Sequence, residues 1–319
     1  MGRADTYSQP NAPDPVLTDD LVLGLARAYL PAPGRVGAVL AVEESGGEAR
    51  AYLLDGGVVV KTQRPHRLRP RTSLAKEAAL LTALEPTLPG RVPMLFGYDQ
   101  VDTSAGQVEF IVMSRIAGQA VLTRPTGPVG PARAQLLREV AAALRAVHTL
   151  DPTGLVLAGV LPVDGDADGL RRRVELGLAD LVEYLDSHPA GWPLNIAPAK
   201  VAAAALDALP RRLGQPPVVL HSNPGPPHVF IDDSGIFTGL IDFGDCYASH
   251  PALDLRTWPH PADRITLREC YLDGRPAGTE WKAVWTVAML QADLGVLAGG
   301  RPQQAAAATA DLAIRLAEL

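Results

Sequence analysis

The chain has 319 residues, of which 47% are apolar and 20% charged, and its formal net charge is −6. This composition excludes a disordered chain. The acidic balance and the scattered arginines exclude a general polyanion-binding surface, so we expect no nucleic-acid partner. The length allows two lobes with a cleft between them.

The cysteines and the N-terminal sequence bear on where the protein works. Cys246 and Cys270 are the two cysteines, and neither has metal-ligand spacing around it, which favours a reducing compartment. The first residues lack the basic and apolar regions of a signal peptide, and no apolar run approaches the length of a membrane span. We therefore expect a cytoplasmic protein that does not enter the membrane, and the Ala-, Gly-, Pro- and Arg-rich composition is typical of bacterial proteins.

The first third of the chain predicts a small sheet with helices. Residues 1–17 are polar and proline-rich and are expected to be disordered, whereas residues 17–30 have helical spacing behind Thr18, which can cap the helix. Residues 73–84 open with a serine and predict a second helix that packs on the sheet. β-branched runs separated by SGG, DGG and DTSAG turn signals predict the strands: 36–44, 49–57, 58–63, 92–101 and 108–116.

From about residue 130 the pattern becomes mainly helical. Periodic apolar spacing predicts helices at 131–149, 167–187, 198–213, 281–299 and 302–319. Between them lie three short strand-like runs, the last two forming a hairpin around "DDSG": 218–221, 228–233 and 236–244. The chain therefore divides near "IAGQA" into a β-rich part and a helical part.

Five features with chemical meaning follow one another along the chain. They are the turn Ser45–Gly47 between two strands, Lys61 at a strand end, Glu77 in the next helix, the loop "HSNPGPPH" at 221–228, and Asp242 in "LIDFGD". Each alone is weak evidence, because a lysine at a strand end is usually solvated and a glutamate in a first helical turn usually favours the helix dipole. Their joint order is far harder to obtain by chance.

This order resembles the aminoglycoside phosphotransferase and choline kinase-like family, relatives of the protein kinases. The resemblance covers about residues 35–258 and is most specific across "VVLHSNPGPPHVFIDDSGIFTGLIDFGDCYASHPALDL", where family members carry H-G-D-x-x-x-x-N, a hairpin, I-D-[FW]-[GE]-D and D-P-A-x-D. It implies an α+β, bilobal protein kinase-like fold. The expected parts are a nucleotide-binding N-lobe at 18–118 and a helical C-lobe at 119–319, with ATP in the cleft.

The resemblance also implies roles for the nucleotide-binding residues. Lys61 would pair with the α/β-phosphates and Glu77 would hold Lys61 in place. "FIVMSRIAG" resembles the hinge, where backbone groups near Met113 to Arg115 would bind adenine, although a plain core strand explains the pattern equally well. Ser45, Gly46 and Gly47 would form the loop over the phosphates, since glycine lets backbone N–H groups approach anionic oxygen.

The metal and catalytic positions depart from the family pattern. Asp242 matches the metal-binding aspartate, and its oxygen suits Mg²⁺. Asn223 stands where the catalytic aspartate is expected, and an amide cannot accept a proton, although it can still orient a hydroxyl. His228 stands in the place of the metal-binding asparagine, and its nitrogen shifts the expected metal toward Mn²⁺ or leaves Asp242 as the one protein ligand.

Four further positions complete the predicted site. His221 is retained and is expected to anchor the loop, while Ser222 and His250 replace a family glycine and aspartate. Asp245 is the candidate for a substitute base or a second metal ligand. Pro224, Pro226 and Pro227 fix φ at three places in the loop, so its conformation is still specified.

Two functions remain open from the sequence. The first is an ATP-dependent phosphotransferase that acts, with Mg²⁺ or Mn²⁺, on a hydroxyl of a small molecule or of a peptide Ser/Thr. The second is a pseudokinase, a nucleotide- or peptide-binding subunit that supports a partner enzyme in peptide natural-product biosynthesis. Four acidic residues could hold a cationic acceptor, although a solvated helix face explains them better: Glu175, Asp180, Glu183 and Asp186.

Overall fold

The computed structural model describes residues 7–32, 34, 36–104, 106–124, 127–189, 192–299 and 302–319. The first six residues of the segment expected to be disordered lie outside the described residues. Further along this segment, Asp14 accepts hydrogen bonds from Arg50 at 3.0 Å and from Arg64 at 2.7 Å. Leu17 is buried, and its backbone N–H donates to the Tyr52 hydroxyl at 2.9 Å. Its last residues are therefore held against the sheet.

A five-stranded antiparallel sheet with one helix on each face forms the N-terminal lobe. Its strands run in the order β1-β2-β3-β5-β4, with β1 at Val39–Glu43, β2 at Ala49–Leu54, β3 at Val58–Gln63, β4 at Leu95–Thr103 and β5 at Gly106–Ser114. Helix α1 (Asp19–Tyr29) begins at Thr18, whose side chain accepts from the Leu21 N–H, and α2 (Leu74–Leu84) begins at Ser73, whose side chain accepts from the Lys76 N–H.

Strand alternation sorts the two faces of this sheet. Val58 and Val60 pack toward α1 in one apolar cluster, whereas Val59 belongs to the cluster that contains α2. Successive side chains of a strand point to opposite faces, so Lys61 shares the face of Val59. Glu77 lies in the first turn of α2. The pattern of the strand thus directs the lysine toward the glutamate.

The C-terminal lobe is mainly helical, and strands of two small sheets flank the loop 221–228. Its helices are α3 (Gly130–His148), α4 (Thr153–Leu157), α5 (Ala167–Ser187), α6 (Pro198–Ala208), α7 (Pro261–Leu272), α8 (Thr279–Ala298) and α9 (Pro302–Ala317). Its strands are β6 (Gln119–Ala120), β7 (Val218–Leu220), β8 (Val229–Ile231), β9 (Phe237–Leu240) and β10 (Tyr247–Ser249), with β6, β8 and β9 in one sheet and β7 paired with β10.

The chain passes from one lobe to the other between β5 and β6. Gly118 lies in this passage with φ +85°, and a Cβ there would collide with the backbone of Ile231. The position therefore requires glycine, which adopts a positive φ at little cost. The α+β, two-lobed fold expected from the sequence is confirmed.

Two details differ from the sequence-based expectation. Helix α6 ends at Ala208 rather than at residue 213, because Pro210 disfavours the helical region for Leu209, which is extended at φ −63° and ψ 139°. Strands β6 and β10 and helix α4 were not predicted, since two to five residues are too few to show a period. None of the helices in the described part of the chain combines the length and apolar character needed to cross a bilayer.

Candidate active site

Lys61 joins the two lobes through a pair of carboxylates. Its Nζ lies 2.7 Å from Glu77 Oε2 in the N-lobe and 2.7 Å from Asp242 Oδ1 in the C-lobe. Glu77 is almost fully buried, whereas the Asp242 side chain is 43% exposed. The structure therefore brings together three residues that are separated by up to 181 positions in the sequence.

The charges of Lys61, Glu77 and Asp242 shift one another's pKa values. Burial opposes the charged form of Lys61, but Asp242 and Glu77 outweigh it and raise the pKa of the lysine. Burial also opposes ionisation of Asp242, yet Lys61 holds its pKa well below the ordinary value. The pKa of Glu77 is raised, because its burial outweighs the attraction of Lys61. A cation facing the cleft with an ionised Asp242 beside it is the charge pattern that a nucleotide phosphate and a metal ion require.

The loop 221–228 is anchored from beneath by a buried network. The Asp254 carboxylate accepts from the backbone N–H groups of His221 at 2.7 Å and Ser222 at 2.8 Å, and it contacts His148 Nε2 at 3.0 Å. His221 donates from Nε2 to the Ile241 carbonyl at 3.0 Å, one residue before Asp242. Burial lowers the pKa of His221 to about 4, so the ring is neutral. This geometry supports an anchoring role for His221.

In the loop, Asn223 is exposed and His228 is half-buried. His228 Nδ1 donates to the Asn223 carbonyl at 2.8 Å, and its Nε2 lies 3.3 Å from Asp242 Oδ2. The Asn223 side chain is exposed. His228 thus ties the position of the missing catalytic aspartate to the predicted metal ligand, a contact that the sequence did not suggest.

Ser222 shows the effect of losing the family glycine. Its φ is +77°, in the left-handed region, where a residue with a Cβ is strained by about 1–2 kcal/mol. Asp242 also has a positive φ, +71°. The loop therefore keeps the backbone shape for which glycine is suited, although the glycine itself is gone.

Asp245 lies in a different environment from the one expected. Its carboxylate accepts from Thr72 Oγ1 at 2.6 Å and from Arg69 Nη2 at 3.1 Å, both in the N-lobe. Arg69 also pairs with Glu48, which follows the predicted phosphate loop. These contacts make Asp245 a link between the lobes, and they offer no support for its use as a base or metal ligand.

The predicted phosphate loop and hinge lie on the sheet that carries Lys61. Ser45, Gly46 and Gly47 connect β1 and β2, and the first two are exposed while Gly47 is half-buried. In β2, which follows this turn, Ala51 pairs with Lys61 of β3. Met113 is buried in β5, and the Arg115 N–H already donates to the Gly57 carbonyl at 2.8 Å. Because the Arg115 N–H already has this acceptor, an adenine at the hinge would have to bind other backbone N–H groups nearby.

A cavity of about 290 Å³ opens beside the loop, between the loop and the last two helices. Asn223 lines it, together with Arg256, Thr257, Trp258, Pro259, Ala292, Gly295, Val296, Gly299 and Gln304. A cavity of this size that begins at the catalytic-loop position is suited to hold an acceptor molecule.

Comparison with known proteins decides the family. A model of the phosphotransferase enzyme family, APH, matches residues 41–312. The chain belongs to this phosphotransferase family. The resemblance predicted from the loop motifs is therefore confirmed. A search of the curated proteins found no match.

Solved structures of phosphotransferases share the fold. The macrolide 2′-phosphotransferase MphH from Brachybacterium faecium is 25% identical, with 92% of this chain and 97% of that chain covered and a TM-score of 0.58. Spectinomycin phosphotransferase APH(9)-Ia with ADP and spectinomycin is 12% identical, with 95% and 99% covered and a TM-score of 0.57. The GDP complex of aminoglycoside 2′-phosphotransferase-IIIa is 17% identical, with 88% and 93% covered and a TM-score of 0.54.

Some site residues of this family member could not be found from the sequence. The roles of His148 and Arg256 depend on tertiary contacts, since His148 comes from α3 and Arg256 from the segment before α7. Asp254 carried a weak signal in "HPALDL", where the family has D-P-A-x-D. The four acidic residues suggested for a cationic acceptor lie on α5 and are not among the residues that line the cavity.

Proposed function

We propose that the protein transfers the γ-phosphoryl group of ATP, or of a related nucleoside triphosphate, to a hydroxyl group. The observation that carries this function is Lys61 held between Glu77 and Asp242 at 2.7 Å from each. A cation fixed by a buried carboxylate is suited to the α/β-phosphates, and an ionised Asp242 beside it is suited to their metal ion. Relatives with the same fold hold ADP or GDP, which supports a nucleotide in this cleft.

Asn223 orients the acceptor hydroxyl in this proposal. It lies where the cavity meets the loop, and His228 fixes its backbone through the 2.8 Å hydrogen bond. Phosphoryl transfer proceeds mainly through positioning and charge stabilisation, so an amide that holds the hydroxyl in line supports the reaction without a general base. The rate is lower than with aspartate, since a positioned base contributes on the order of 10²–10⁴-fold.

Asp242 and His228 fit a divalent cation. His228 donates from Nδ1, which leaves the lone pair of Nε2 facing Asp242 Oδ2 across 3.3 Å. This separation would allow both side chains to hold one small divalent ion. The imidazole favours Mn²⁺ relative to Mg²⁺. When bound, the ion would neutralise part of the negative charge of the phosphates. No group of three or more His, Cys, Asp or Glu that could hold a metal ion occurs among the described residues, so Asp242 and His228 would be the two protein ligands.

The residues at the two altered loop positions favour a second function, nucleotide binding without transfer. Asn223 cannot act as a base, and His228 rather than a second oxygen ligand faces Asp242. Such a pseudokinase would support a partner enzyme through the bound nucleotide or a peptide.

The two cysteines, Cys246 and Cys270, are both unpaired, which supports a reducing compartment such as the cytoplasm for either function.

Transfer of labelled γ-phosphate separates the two functions. The wild type would be incubated with labelled ATP and either Mg²⁺ or Mn²⁺, and label in water or in added hydroxyl compounds would be measured. We expect slow release of label by the wild type, faster with Mn²⁺, and loss of release in Asp242→Ala. Lys61→Met should also abolish release. Lys200→Met, on an exposed lysine of α6, is its matched control and should keep the wild-type rate.

Nucleotide binding without any transfer by the wild type would instead establish the pseudokinase function. Absence of nucleotide binding with both metal ions would contradict both functions.

A further inference from the structure

The charge of the acceptor cavity indicates which molecules it accepts. Among the described residues that line it, Arg256 carries the one formal charge, and none is a carboxylate. The Arg256 guanidinium is fixed at the wall by donation from Nη1 to the Leu253 carbonyl at 3.0 Å. The cavity is therefore electropositive, whereas a site for a polycation would be lined with carboxylates.

The rest of the wall has an apolar side and a polar side. Pro259, Ala292 and Val296 provide apolar surface, and Gly295 of α8 lets a ligand approach the helix backbone closely. Asn223, Thr257 and Gln304 provide polar side chains.

The size of the cavity narrows the choice further. At about 290 Å³ it lies at the lower end of the volumes that enclose drug-sized ligands, which run from about 300 to 1,000 Å³. A single ring fits inside, whereas a multi-ring antibiotic would extend beyond it. Charge and size thus point to a compact acceptor.

We propose that the acceptor is a small, uncharged or anionic hydroxyl compound, and that Arg256 excludes amino-substituted, cationic ones. This rests on the proposed function, because it takes the cavity next to Asn223 as the place of the accepting hydroxyl. The apolar side packs on one face of the molecule, Asn223 binds its accepting hydroxyl, and Arg256 attracts a carboxylate or tolerates a neutral group.

Three sugars of one size and different charge test the assignment by binding alone. Glucuronate, glucose and glucosamine would be titrated into the protein with ADP and Mn²⁺ present, with NMR saturation transfer and calorimetry as readouts. We expect glucosamine to bind at least about tenfold more weakly than glucuronate, since like charges repel across a few ångströms. Arg256→Glu should reverse this order, and Arg256→Gln should bring the two affinities together.

The control is Arg212→Gln, which removes an exposed arginine that does not line the cavity and should leave the order unchanged. Preferential binding of glucosamine by the wild type, an order unaffected by Arg256→Glu, or no binding of any sugar at tens of millimolar would overturn the assignment. Because binding is measured without turnover, sugar selectivity with no phosphoryl transfer would contradict the proposed reaction while leaving the cavity assignment intact.

Discussion

The two halves of the candidate site differ in how closely they keep the family pattern. In the N-lobe, Lys61 and Glu77 form a buried ion pair at 2.7 Å, as the resemblance predicts. In the C-lobe, Asn223 and His228 replace the two residues expected to act on the phosphoryl group. The half that would anchor a nucleotide is intact, and the half that would transfer its phosphate is altered.

A buried hydrogen-bond network nevertheless supports the altered half. Asp254 holds the backbone of His221 and Ser222, and His221 holds the carbonyl before Asp242. These buried hydrogen bonds hold the backbone of the loop in one conformation, because breaking one of them would leave a buried polar group without a partner. The comparison teaches that the side chains at the reaction centre changed while the shape of the loop was retained.

The largest expected effect comes from restoring the base. Asn223→Asp should raise the rate of phosphoryl transfer by about 10²–10⁴-fold, because a carboxylate accepts the proton that an amide cannot. The measurement is release of labelled γ-phosphate under saturating ATP. Asn195→Asp, at an exposed position, adds the same charge elsewhere and should leave the rate unchanged. An unchanged or lower rate in Asn223→Asp would show that the two halves no longer work together.

Removing the support should cost stability. Asp254 is fully buried, and Asp254→Ala leaves two backbone N–H groups and His148 without their acceptor. At about 1–3 kcal/mol for each unsatisfied group, we expect a loss of roughly 3 kcal/mol or more in the free energy of unfolding, measured with urea. Asp207→Ala, on an aspartate whose side chain is 84% exposed, should change it by less than about 0.5 kcal/mol.

His250 predicts a pH dependence of stability. Burial lowers its pKa from 6.5 to about 4; Glu280, 3.9 Å from Nε2, opposes this shift and the charge of His148 adds to it. Between pH 6.5 and pH 4 this histidine is protonated in the unfolded chain and neutral in the folded protein. The free energy of unfolding therefore falls as the pH drops through this range.

The share of His250 can be isolated by substitution. Between pH 7 and pH 5 it amounts to about 2 kcal/mol, and His250→Asn, which keeps a side-chain acceptor for the Ala252 N–H, should remove it. Urea unfolding of both proteins at the two pH values measures the difference. An equal pH response in both would contradict a neutral, buried His250.

The smallest expected effect is at Ser222. Ser222→Gly should relieve the left-handed strain of about 1–2 kcal/mol and lose about 0.5–1 kcal/mol of chain entropy, for a net gain of about 0.5–1 kcal/mol. The gain would appear as a higher urea midpoint. Ser234→Gly, on an exposed serine without a positive φ, should lower the midpoint. A loss at Ser222 would mean that its side chain contributes more than the strain costs.

The sequence predicted the lobes and the nucleotide half of the site because both depend on local signals. Strand alternation places Lys61 on the face of α2, and the capping serine fixes where Glu77 falls in that helix. The environment of Asp245 could not be foreseen, since Arg69 and Thr72 reach it from the other lobe. The cavity beside Asn223 could not be predicted either, because its lining comes from the loop, from the segment before α7 and from the region of α8 and α9.

The affinity of the protein for ATP tests the central claim most directly. Calorimetry with Mn²⁺ should show ATP binding by the wild type and by Lys200→Met, and binding about 10- to 100-fold weaker by Lys61→Met, since a hydrogen bond to a charged group contributes about 1.5–3 kcal/mol. Equal ATP affinity of the wild type and Lys61→Met, or no ATP binding by the wild type, would contradict a nucleotide site built on Lys61, Glu77 and Asp242.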